Sequence, residues 1–136
     1  RRVVEKNGSD KIIHVGARSF VKEELAFLKE NKIRTVTDRD IRDGKGPKMV
    51  KDLLSTFDKT YVSVDLDVLD PAFAPGVGNP EAVGITSREL FDMIYAMQGK
   101  KISVLDVVEL NPTYDNGATA SLAAKIMSTM VAMNFK

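Results

Sequence analysis

The segment at residues 62–80 (VSVDLDVLDPAFAPGVGNP) constrains the fold of this chain more than any other. It opens with alternating apolar residues typical of a buried strand, and then supplies the aspartates Asp65, Asp67 and Asp70. Prolines and glycines follow at once, and they prevent a helix from starting for about fifteen residues. The segment therefore predicts a strand whose carboxyl end opens into a long acidic loop.

Hydrophobic patterns elsewhere in the chain predict strands that alternate with helices. Short apolar segments rich in β-branched residues predict strands at 11–17, 32–37, 60–66 and 101–110. Segments with apolar residues three and four apart predict helices at 21–30, 47–57, 86–97 and 118–135. Such alternation is typical of βαβ units, so the predicted fold class is α/β, with a mostly parallel β-sheet and flanking helices.

The length and composition of the chain limit the classes of function. Its 136 residues are enough for a single domain with one core. The net charge of +1 and the scattered basic residues argue against nucleic-acid binding through a positive surface. No apolar segment approaches the roughly 20 residues that cross a bilayer, and the absence of cysteine fits a reducing cytoplasm. We therefore expect a cytoplasmic domain that binds neither nucleic acid nor membrane.

Asp65 and Asp67 are the candidate metal ligands. If the strand continues through Asp67, both side chains project from the same face. Two neighbouring carboxylates repel each other unless a cation lies between them, and hard oxygen ligands suit Mg²⁺ or Mn²⁺. The alternative is that Asp65 caps the strand end, while Asp67 and Asp70 form turns before Pro71.

Other polar residues have simpler expected roles. His14 is the single histidine and lies inside an apolar strand, where a hydrogen-bonded structural role is more common than metal binding. Arg18 is expected to form a salt bridge at the sheet edge or an oligomer contact. Asp70 is expected to form a turn with Pro71, and Asp106 to be buried and hydrogen-bonded.

Residues 63–81 (SVDLDVLDPAFAPGVGNPE), followed by GITSREL, closely resemble the third metal-binding signature of the ureohydrolase family of arginases, agmatinases and relatives. Residues 102–116 (ISVLDVVELNPTYDN) are similar to the last active-site strand of that family. Residues 13–19 (IHVGARS) are similar to a family strand that usually ends in Gly-x-Arg. The resemblance implies an arginase-like three-layer α/β/α fold, and it is strongest to the C-terminal half of an agmatinase.

The resemblance also implies roles for three residues. Asp65 would bridge two Mn²⁺ ions and Asp67 would bind one of them, so that the metals activate a water for attack on a guanidinium carbon. Glu109, at the end of the fourth strand, would pair with the substrate guanidinium, whose N–H groups match a carboxylate. The alternative for Glu109 is a solvated acid at a strand end.

The sequence departs from the family pattern in two respects. The family loop usually reads Pro-Gly-Thr-Gly and later Gly-Gly, whereas Val77 and Val83 occupy two of these positions here. The family's Gly-Gly-Asp-His and Asp-Ala-His-x-Asp segments, which carry its other metal ligands, do not occur. We therefore expect residues 1–136 to form one domain that is the C-terminal part of a catalytic domain, with the N-terminal part absent. The chain alone is expected to be inactive.

For the full-length protein, the resemblance implies manganese-dependent hydrolysis of a guanidino compound. Agmatine, cleaved to putrescine and urea, is the favoured substrate because no acidic residue follows Arg18 until Glu23. Arginase or guanidinobutyrase activity is the alternative within the family, and a non-catalytic binding or assembly fragment is the alternative from another class. A phosphatase with an aspartyl-phosphate intermediate is disfavoured because Leu69 stands where threonine or valine is expected. The family implies a homo-oligomer, a trimer or hexamer.

Overall fold

A computed structural model describes residues 1–134 of the chain, and its strands alternate with helices. The helices are α1 (Arg2–Asn7), α2 (Lys22–Glu30), α3 (Asp38–Arg42), α4 (Gly46–Leu54), α5 (Ser87–Ala96) and α6 (Ala118–Asn134). The strands are β1 (Ile13–Val15), β2 (Arg34–Val36), β3 (Lys59–Asp65) and β4 (Lys101–Val108). The predicted α/β class with parallel strands and flanking helices is confirmed.

Within residues 1–134 the strands form two separate parallel sheets. Strand β1 pairs with β2, and β3 pairs with β4. In the β3–β4 register, Asp65 lies opposite Val108, so these two strands end side by side. The carboxyl ends of parallel strands meet at one edge of a sheet, which is where α/β proteins usually bind ligands. Asp65 is therefore placed at a candidate binding edge.

One hydrophobic core joins the strands to the helices. Val64 of β3 and Ile102 of β4 belong to the same buried cluster as Val50 of α4, Ile94 of α5 and Ile126 of α6. Each of these side chains is at most 8% exposed. The helices that follow β2, β3 and β4 therefore hold the strands in place through shared apolar burial.

The opposite face of the β3–β4 sheet is open in the part of the chain that the structure describes. Tyr61 and Val104 lie opposite each other in register and are 60% and 56% exposed. The Tyr61 hydroxyl donates a hydrogen bond to Asp106 Oδ2. The hydrogen bond predicted for Asp106 is thus confirmed, although the residue is only half-buried. Parallel sheets are usually covered on both faces, so this face is available to further protein.

The hydrophobic patterns did not predict two short helices, α1 and α3. Helix α3 begins after Thr37, whose hydroxyl accepts a hydrogen bond from the Asp40 N–H. The Asp40 carboxylate in turn accepts one from the Thr37 N–H, which completes a capping box. The Thr-x-x-Asp spacing was the available signal for this helix. Among the described helices, none is long and apolar enough to span a membrane.

The amino-terminal end of α6 anchors the long loop that follows β3. Thr119 is fully buried, and its hydroxyl accepts a hydrogen bond from the Gly76 N–H at 2.8 Å. Asp115 caps the helix by accepting hydrogen bonds from the N–H groups of Thr119 and Ala120 at 2.9 and 2.8 Å. A buried N–H group without a partner is costly, so the Thr119 hydroxyl fixes the position of the loop.

Replacing Thr119 with valine should release the loop, because valine keeps the shape of threonine but leaves the Gly76 N–H unpaired. We expect the free energy of unfolding to fall by about 1–3 kcal/mol in urea denaturation. Hydrogen exchange at the Gly76 amide should accelerate in Thr119→Val. The Thr119→Ser variant is the control, since it keeps the hydroxyl and should keep this amide protected. Equal protection of Gly76 in both variants would contradict the assigned role.

Candidate functional site

Strand β3 ends at Asp65, and the chain then enters a 3₁₀ turn at Leu66–Val68. The Asp65 Oδ1 atom accepts a hydrogen bond from the Asp67 N–H at 2.9 Å, so this side chain caps the turn. The strand does not continue through Asp67, so the condition for both carboxylates to share one strand face is not met, and Asp65 caps the strand end as the alternative expected. The turn nevertheless brings Asp65 and Asp67 to the wall of one cavity of about 570 Å³.

The two carboxylates of this cavity are suited to a cation. Although Asp65 is exposed in the described chain, partial desolvation raises the pKa of its carboxyl, the hydrogen bond from the Asp67 N–H opposes this rise, and the charge of Asp67 adds to it. Asp67 Oδ1 accepts a hydrogen bond from the Asn79 N–H at 3.3 Å. Within residues 1–134, the Oδ2 atom of each aspartate accepts no hydrogen bond, so each side chain retains a free oxygen ligand. A hard cation would relieve the repulsion that disfavours two ionised groups.

Asp65 and Asp67, called the acid pair below, have no third candidate metal ligand beside them in the described residues. Within residues 1–134, no three histidine, aspartate or glutamate side chains gather in a group that could hold a metal ion. His14 lines the same cavity, and partial burial is the main cause that lowers the pKa of its imidazole. Its ring makes an edge-to-face contact with Phe20, with ring centroids 6.1 Å apart. Among the hydrogen bonds of residues 1–134 none involves the His14 imidazole, so this aromatic contact is found where a structural hydrogen bond was expected.

Asp70 closes the loop that follows the acid pair. Its Oδ1 accepts a hydrogen bond from the Ala72 N–H at 2.9 Å. Its Oδ2 accepts from the N–H groups of Val83 and Gly84 at 2.8 and 3.2 Å. The hydrogen bond from Ala72, followed by those from Val83 and Gly84, lowers the pKa of the Asp70 carboxyl. Asp70 therefore forms the expected turn and also joins the two ends of the loop.

Arg18 links the end of β1 to both sides of the same loop. Its Nη1 donates hydrogen bonds to the carbonyl oxygens of Asp67 and Val68 at 3.0 and 3.1 Å. Its Nη2 donates to the Glu81 carbonyl oxygen at 2.7 Å. The expected salt bridge is absent from the ion pairs of residues 1–134, because carbonyl groups surround the guanidinium instead. Arg18 is thus a positioning residue, and its only sequence signal was the Gly-x-Arg ending of the strand.

Glu109 follows the last residue of β4 and has a left-handed backbone conformation, with φ +67°. This conformation is uncommon in residues other than glycine, and such strain often occurs at functional sites. The carbonyl oxygen of Glu109 accepts a hydrogen bond from the Gly78 N–H at 3.2 Å. A Cβ atom on Gly78 would lie 2.6 Å from Glu109 Oε2, so glycine makes room for the carboxylate. The loop therefore binds the Glu109 backbone through one hydrogen bond and leaves space for its carboxylate.

The register of the β3–β4 sheet relates Glu109 to the acid pair. Asp65 lies opposite Val108, and Glu109 is the next residue along the chain. Glu109 is exposed, and it does not line the cavity that Asp65 and Asp67 share. The structure therefore brings the three predicted site residues to one edge of the sheet, with Glu109 outside the cavity of the other two.

Comparisons with known proteins find relatives along nearly the whole chain. A sequence model described as the arginase family matches residues 1–132. The agmatinase of Bacillus anthracis is 38% identical over 128 residues, which cover 91% of this chain and 42% of that protein. Arginase 1, mitochondrial, of Oryza sativa subsp. indica is 34% identical over 143 residues, which cover 96% of this chain and 39% of that protein.

A solved structure shows the same arrangement of elements. The agmatine ureohydrolase of Thermoplasma volcanium superposes with a TM-score of 0.89 and 32% identity. The superposition covers 98% of this chain and 45% of that one. The chain thus spans less than half the length of each of these relatives.

Replacing Val83 with glycine should stabilise the chain. Val83 has φ +65°, a conformation that is costly for a β-branched residue, and its side chain is 67% exposed. Glycine removes the cost of the left-handed backbone but makes the unfolded chain more flexible, which offsets part of this gain. We expect a net rise of about 1 kcal/mol in the free energy of unfolding, measured by urea denaturation. Val104→Gly is the control, since Val104 is also exposed but has the extended backbone of strand β4 and should gain nothing. A Val83→Gly variant no more stable than the parent would contradict this reading.

The Asp70→Asn variant should change how stability depends on pH. Hydrogen bonds lower the pKa of the Asp70 carboxyl below its usual 3.8. The stability that the ionised carboxylate contributes to the fold is therefore fully present above pH 3.8, and it is lost as the pH falls through the lowered pKa. We therefore expect Asp70→Asn to be less stable at neutral pH and to lose less stability on acidification. Thermal unfolding from pH 7 to about pH 2.5 measures both effects. Asp58→Asn, at an exposed aspartate outside the loop, should follow the parent curve.

Proposed function

Because this chain belongs to the arginase family, we propose that it carries part of a manganese-dependent site for the hydrolysis of guanidino compounds. In this proposal Asp65 and Asp67 are metal ligands, and Glu109 binds the guanidinium group of the substrate. The supporting observation is that the acid pair lies at the end of β3, next in register to the end of β4 that carries Glu109.

The surroundings of Asp65 and Asp67 suit a metal that joins two carboxylates. The raised pKa of Asp65 reflects partial desolvation and a neighbouring negative charge, and a bound cation favours the ionised form of both groups. When bound, manganese supplies Lewis-acid polarisation and lowers the pKa of water. The chain's own contribution is to hold the ligands, since Arg18 binds the Asp67 carbonyl oxygen and Asn79 binds the Asp67 carboxylate.

The position of Glu109 suits recognition of a planar cation. A guanidinium presents parallel N–H groups that a carboxylate can accept in a paired geometry. The hydrogen bond from Gly78 fixes the Glu109 backbone, and the missing side chain at Gly78 leaves space for its carboxylate. Glu109 therefore orients the substrate, while the reacting carbon faces the acid pair on the adjacent strand.

Agmatine is the proposed substrate, with putrescine and urea as products. Similarity to proteins named agmatinase and agmatine ureohydrolase supports this choice. The segment after Arg18 supports this choice too. None of residues 19–22 carries a carboxylate that could bind the amino-acid end of arginine. Arginine is the second candidate, since the match to a protein named arginase covers 96% of the chain, compared with 91% for the match to the Bacillus anthracis agmatinase. A homo-oligomer, trimeric or hexameric, belongs to the same proposal and rests on the family resemblance.

The first test compares the isolated chain with a complete family protein. The 136-residue chain alone should release no urea from agmatine with Mn²⁺, because its described residues supply too few metal ligands. A chimera in which this chain replaces the matching part of the Thermoplasma volcanium enzyme should release urea, from agmatine faster than from arginine. Clear turnover by the isolated chain would contradict the incomplete ligand set.

Variants of the chimera separate the proposed roles. Asp65→Asn and Asp67→Asn should each lower both the manganese content and kcat, the latter by at least about 100-fold. Glu109→Gln should keep the manganese content but lower kcat/KM by about 10–150-fold, because a charged hydrogen bond is lost. Asp58→Asn is the control and should leave both quantities unchanged. Full activity in the Asp65 and Asp67 variants would rule out their role as ligands.

A further inference from the structure

Glu81, on the loop that follows β3, brings a further carboxylate to the cavity of the acid pair. It lines the same cavity of about 570 Å³ as Asp65 and Asp67. Within residues 1–134, Glu81 forms no salt bridge, so its negative charge has no cationic partner there. The roles proposed above for Asp65, Asp67 and Glu109 leave this charge unused.

The Glu81 side chain is oriented by Ser19, from the segment that follows β1. The Ser19 hydroxyl donates a hydrogen bond to Glu81 Oε1 at 3.0 Å, and Ser19 lines the cavity as well. Within residues 1–134, Glu81 Oε2 accepts no hydrogen bond, so one carboxylate oxygen is free to accept from a ligand. Both residues are exposed, so a ligand in the cavity has access to this oxygen.

Arg18 sets the spacing between Glu81 and the acid pair. Its Nη2 donates a hydrogen bond to the Glu81 carbonyl oxygen at 2.7 Å, while its Nη1 donates one to the Asp67 carbonyl oxygen at 3.0 Å. The Asn79 N–H binds the Asp67 carboxylate, and the two residues from Asn79 to Glu81 span at most about 7 Å. An extended agmatine chain also places its ammonium nitrogen about 7 Å from its guanidinium carbon. The spacing therefore suits a ligand with a cationic group at each end.

The charge of the cavity favours a cation. Five acidic side chains line it, compared with two arginines. Both arginines already bind oxygen atoms of the chain, since Arg1 donates to the Glu5 carboxylate and Arg18 donates to carbonyl oxygens. The cavity therefore attracts a ligand with a positive end group and repels one with a negative end group.

Aromatic and aliphatic side chains cover another part of the cavity wall. Phe20 follows Ser19 directly, Phe27 and Leu28 belong to α2, and all three are partly buried. Such side chains favour contact with methylene groups, because both surfaces lose exposure to water. The cavity thus combines carboxylates with an apolar wall, which suits a hydrocarbon chain between two cationic groups.

We propose that Glu81 binds the terminal ammonium group of the substrate and that Ser19 positions the Glu81 carboxylate for this contact. The substrates selected in this way are guanidino compounds whose far end is a primary amine. Such an amine is protonated at neutral pH, as the lysine side chain is, and its N–H groups donate to Glu81 Oε2. This inference rests on the proposed function and adds the residue that selects the far end of the substrate.

The negative charge of Glu81 distinguishes substrates by their end groups. It attracts the ammonium group of agmatine and repels the carboxylate of 4-guanidinobutyrate. Arginine carries both groups, so attraction of its amino group is offset by repulsion of its carboxylate. The preference for agmatine then has an attractive cause as well as the absence of a carboxylate at residues 19–22.

The chimera with the Thermoplasma volcanium enzyme tests this assignment through the ratios of kcat/KM for three substrates. These are agmatine, 4-guanidinobutyrate and n-pentylguanidine, in which a methyl group replaces the ammonium group. In Glu81→Gln the ratio of agmatine to n-pentylguanidine should fall by about 5–20-fold, because a charged hydrogen bond at an exposed site is lost. The ratio of 4-guanidinobutyrate to n-pentylguanidine should rise, because a repulsion is removed.

Glu23→Gln is the matched control for this variant. It makes the same chemical change at another exposed glutamate that lines the cavity. Because the Glu23 carboxylate is not held by Ser19 or by the Arg18 contacts, both substrate ratios should stay at the parent values. Equal effects of Glu23→Gln and Glu81→Gln would show a general field of the cavity and would overturn the assignment of Glu81.

The role of Ser19 is tested by two substitutions. Ser19→Ala should lower the ratio of agmatine to n-pentylguanidine by about 2–5-fold, because Glu81 keeps its charge but loses a hydrogen bond that orients it. The change should lie in KM for agmatine rather than in kcat. Ser19→Thr keeps the hydroxyl and should restore the parent ratio. Equal losses for all three substrates would indicate a purely structural role and contradict the positioning role.

Binding to the metal-free chimera separates this inference from the proposed function. Calorimetry should show tighter binding of agmatine than of n-pentylguanidine, and Glu81→Gln should remove most of that difference. This binding result without any urea release would support the ammonium site and count against the proposed function alone. Urea release with unchanged substrate ratios in Glu81→Gln would support the proposed function and overturn the ammonium site. Absence of both urea release and a binding difference would overturn both.

Discussion

The Asp70 carboxylate binds backbone N–H groups of Ala72 at one end of the loop after β3 and of Val83 and Gly84 at the other. Because these contacts fix where the loop starts and returns, the segment between them runs past the end of β4. There the Gly78 N–H binds the carbonyl oxygen of Glu109. One aspartate that binds no substrate in our proposal thus determines how the candidate site residues of two strands approach each other.

The sequence predicted every described strand and every described helix of nine residues or more. Helices α4, α5 and α6 bury side chains three and four residues apart, and burial alternates along β3. Burial does not alternate along β4, which was predicted from its apolar, β-branched residues. Helix α3 has only five residues and one buried side chain, so its stability comes from a capping box that periodicity does not detect. Hydrophobic periodicity also could not predict the residue at which β3 ends. The strand ends at Asp65 because the Asp67 N–H donates a hydrogen bond to the Asp65 side chain, which starts a turn.

The sequence named candidate site residues, which stay a prediction, but it did not predict their geometry. Spacing and family resemblance selected Asp65, Asp67 and Glu109, and the β3–β4 register places them at one edge. Neither signal could reveal the left-handed backbone of Glu109 or the three carbonyl groups bound by Arg18. Both depend on contacts between segments far apart in sequence. The division into two sheets has the same origin, because alternation of strands and helices specifies parallel pairing but not which strands are neighbours.

Contacts from outside Asp65 and Asp67 hold these two side chains at one cavity. Within residues 1–134, no third histidine, aspartate or glutamate joins them in a group that could hold a metal ion. Arg18, at the end of β1, donates hydrogen bonds to the carbonyl oxygens of Asp67 and Val68, and the Asn79 N–H donates one to the Asp67 carboxylate. Because neighbouring carboxylates repel each other, these contacts offset a cost that the pair itself creates. The arrangement of the two carboxylates therefore depends on β1 and on the loop after β3 as much as on their own spacing in the sequence.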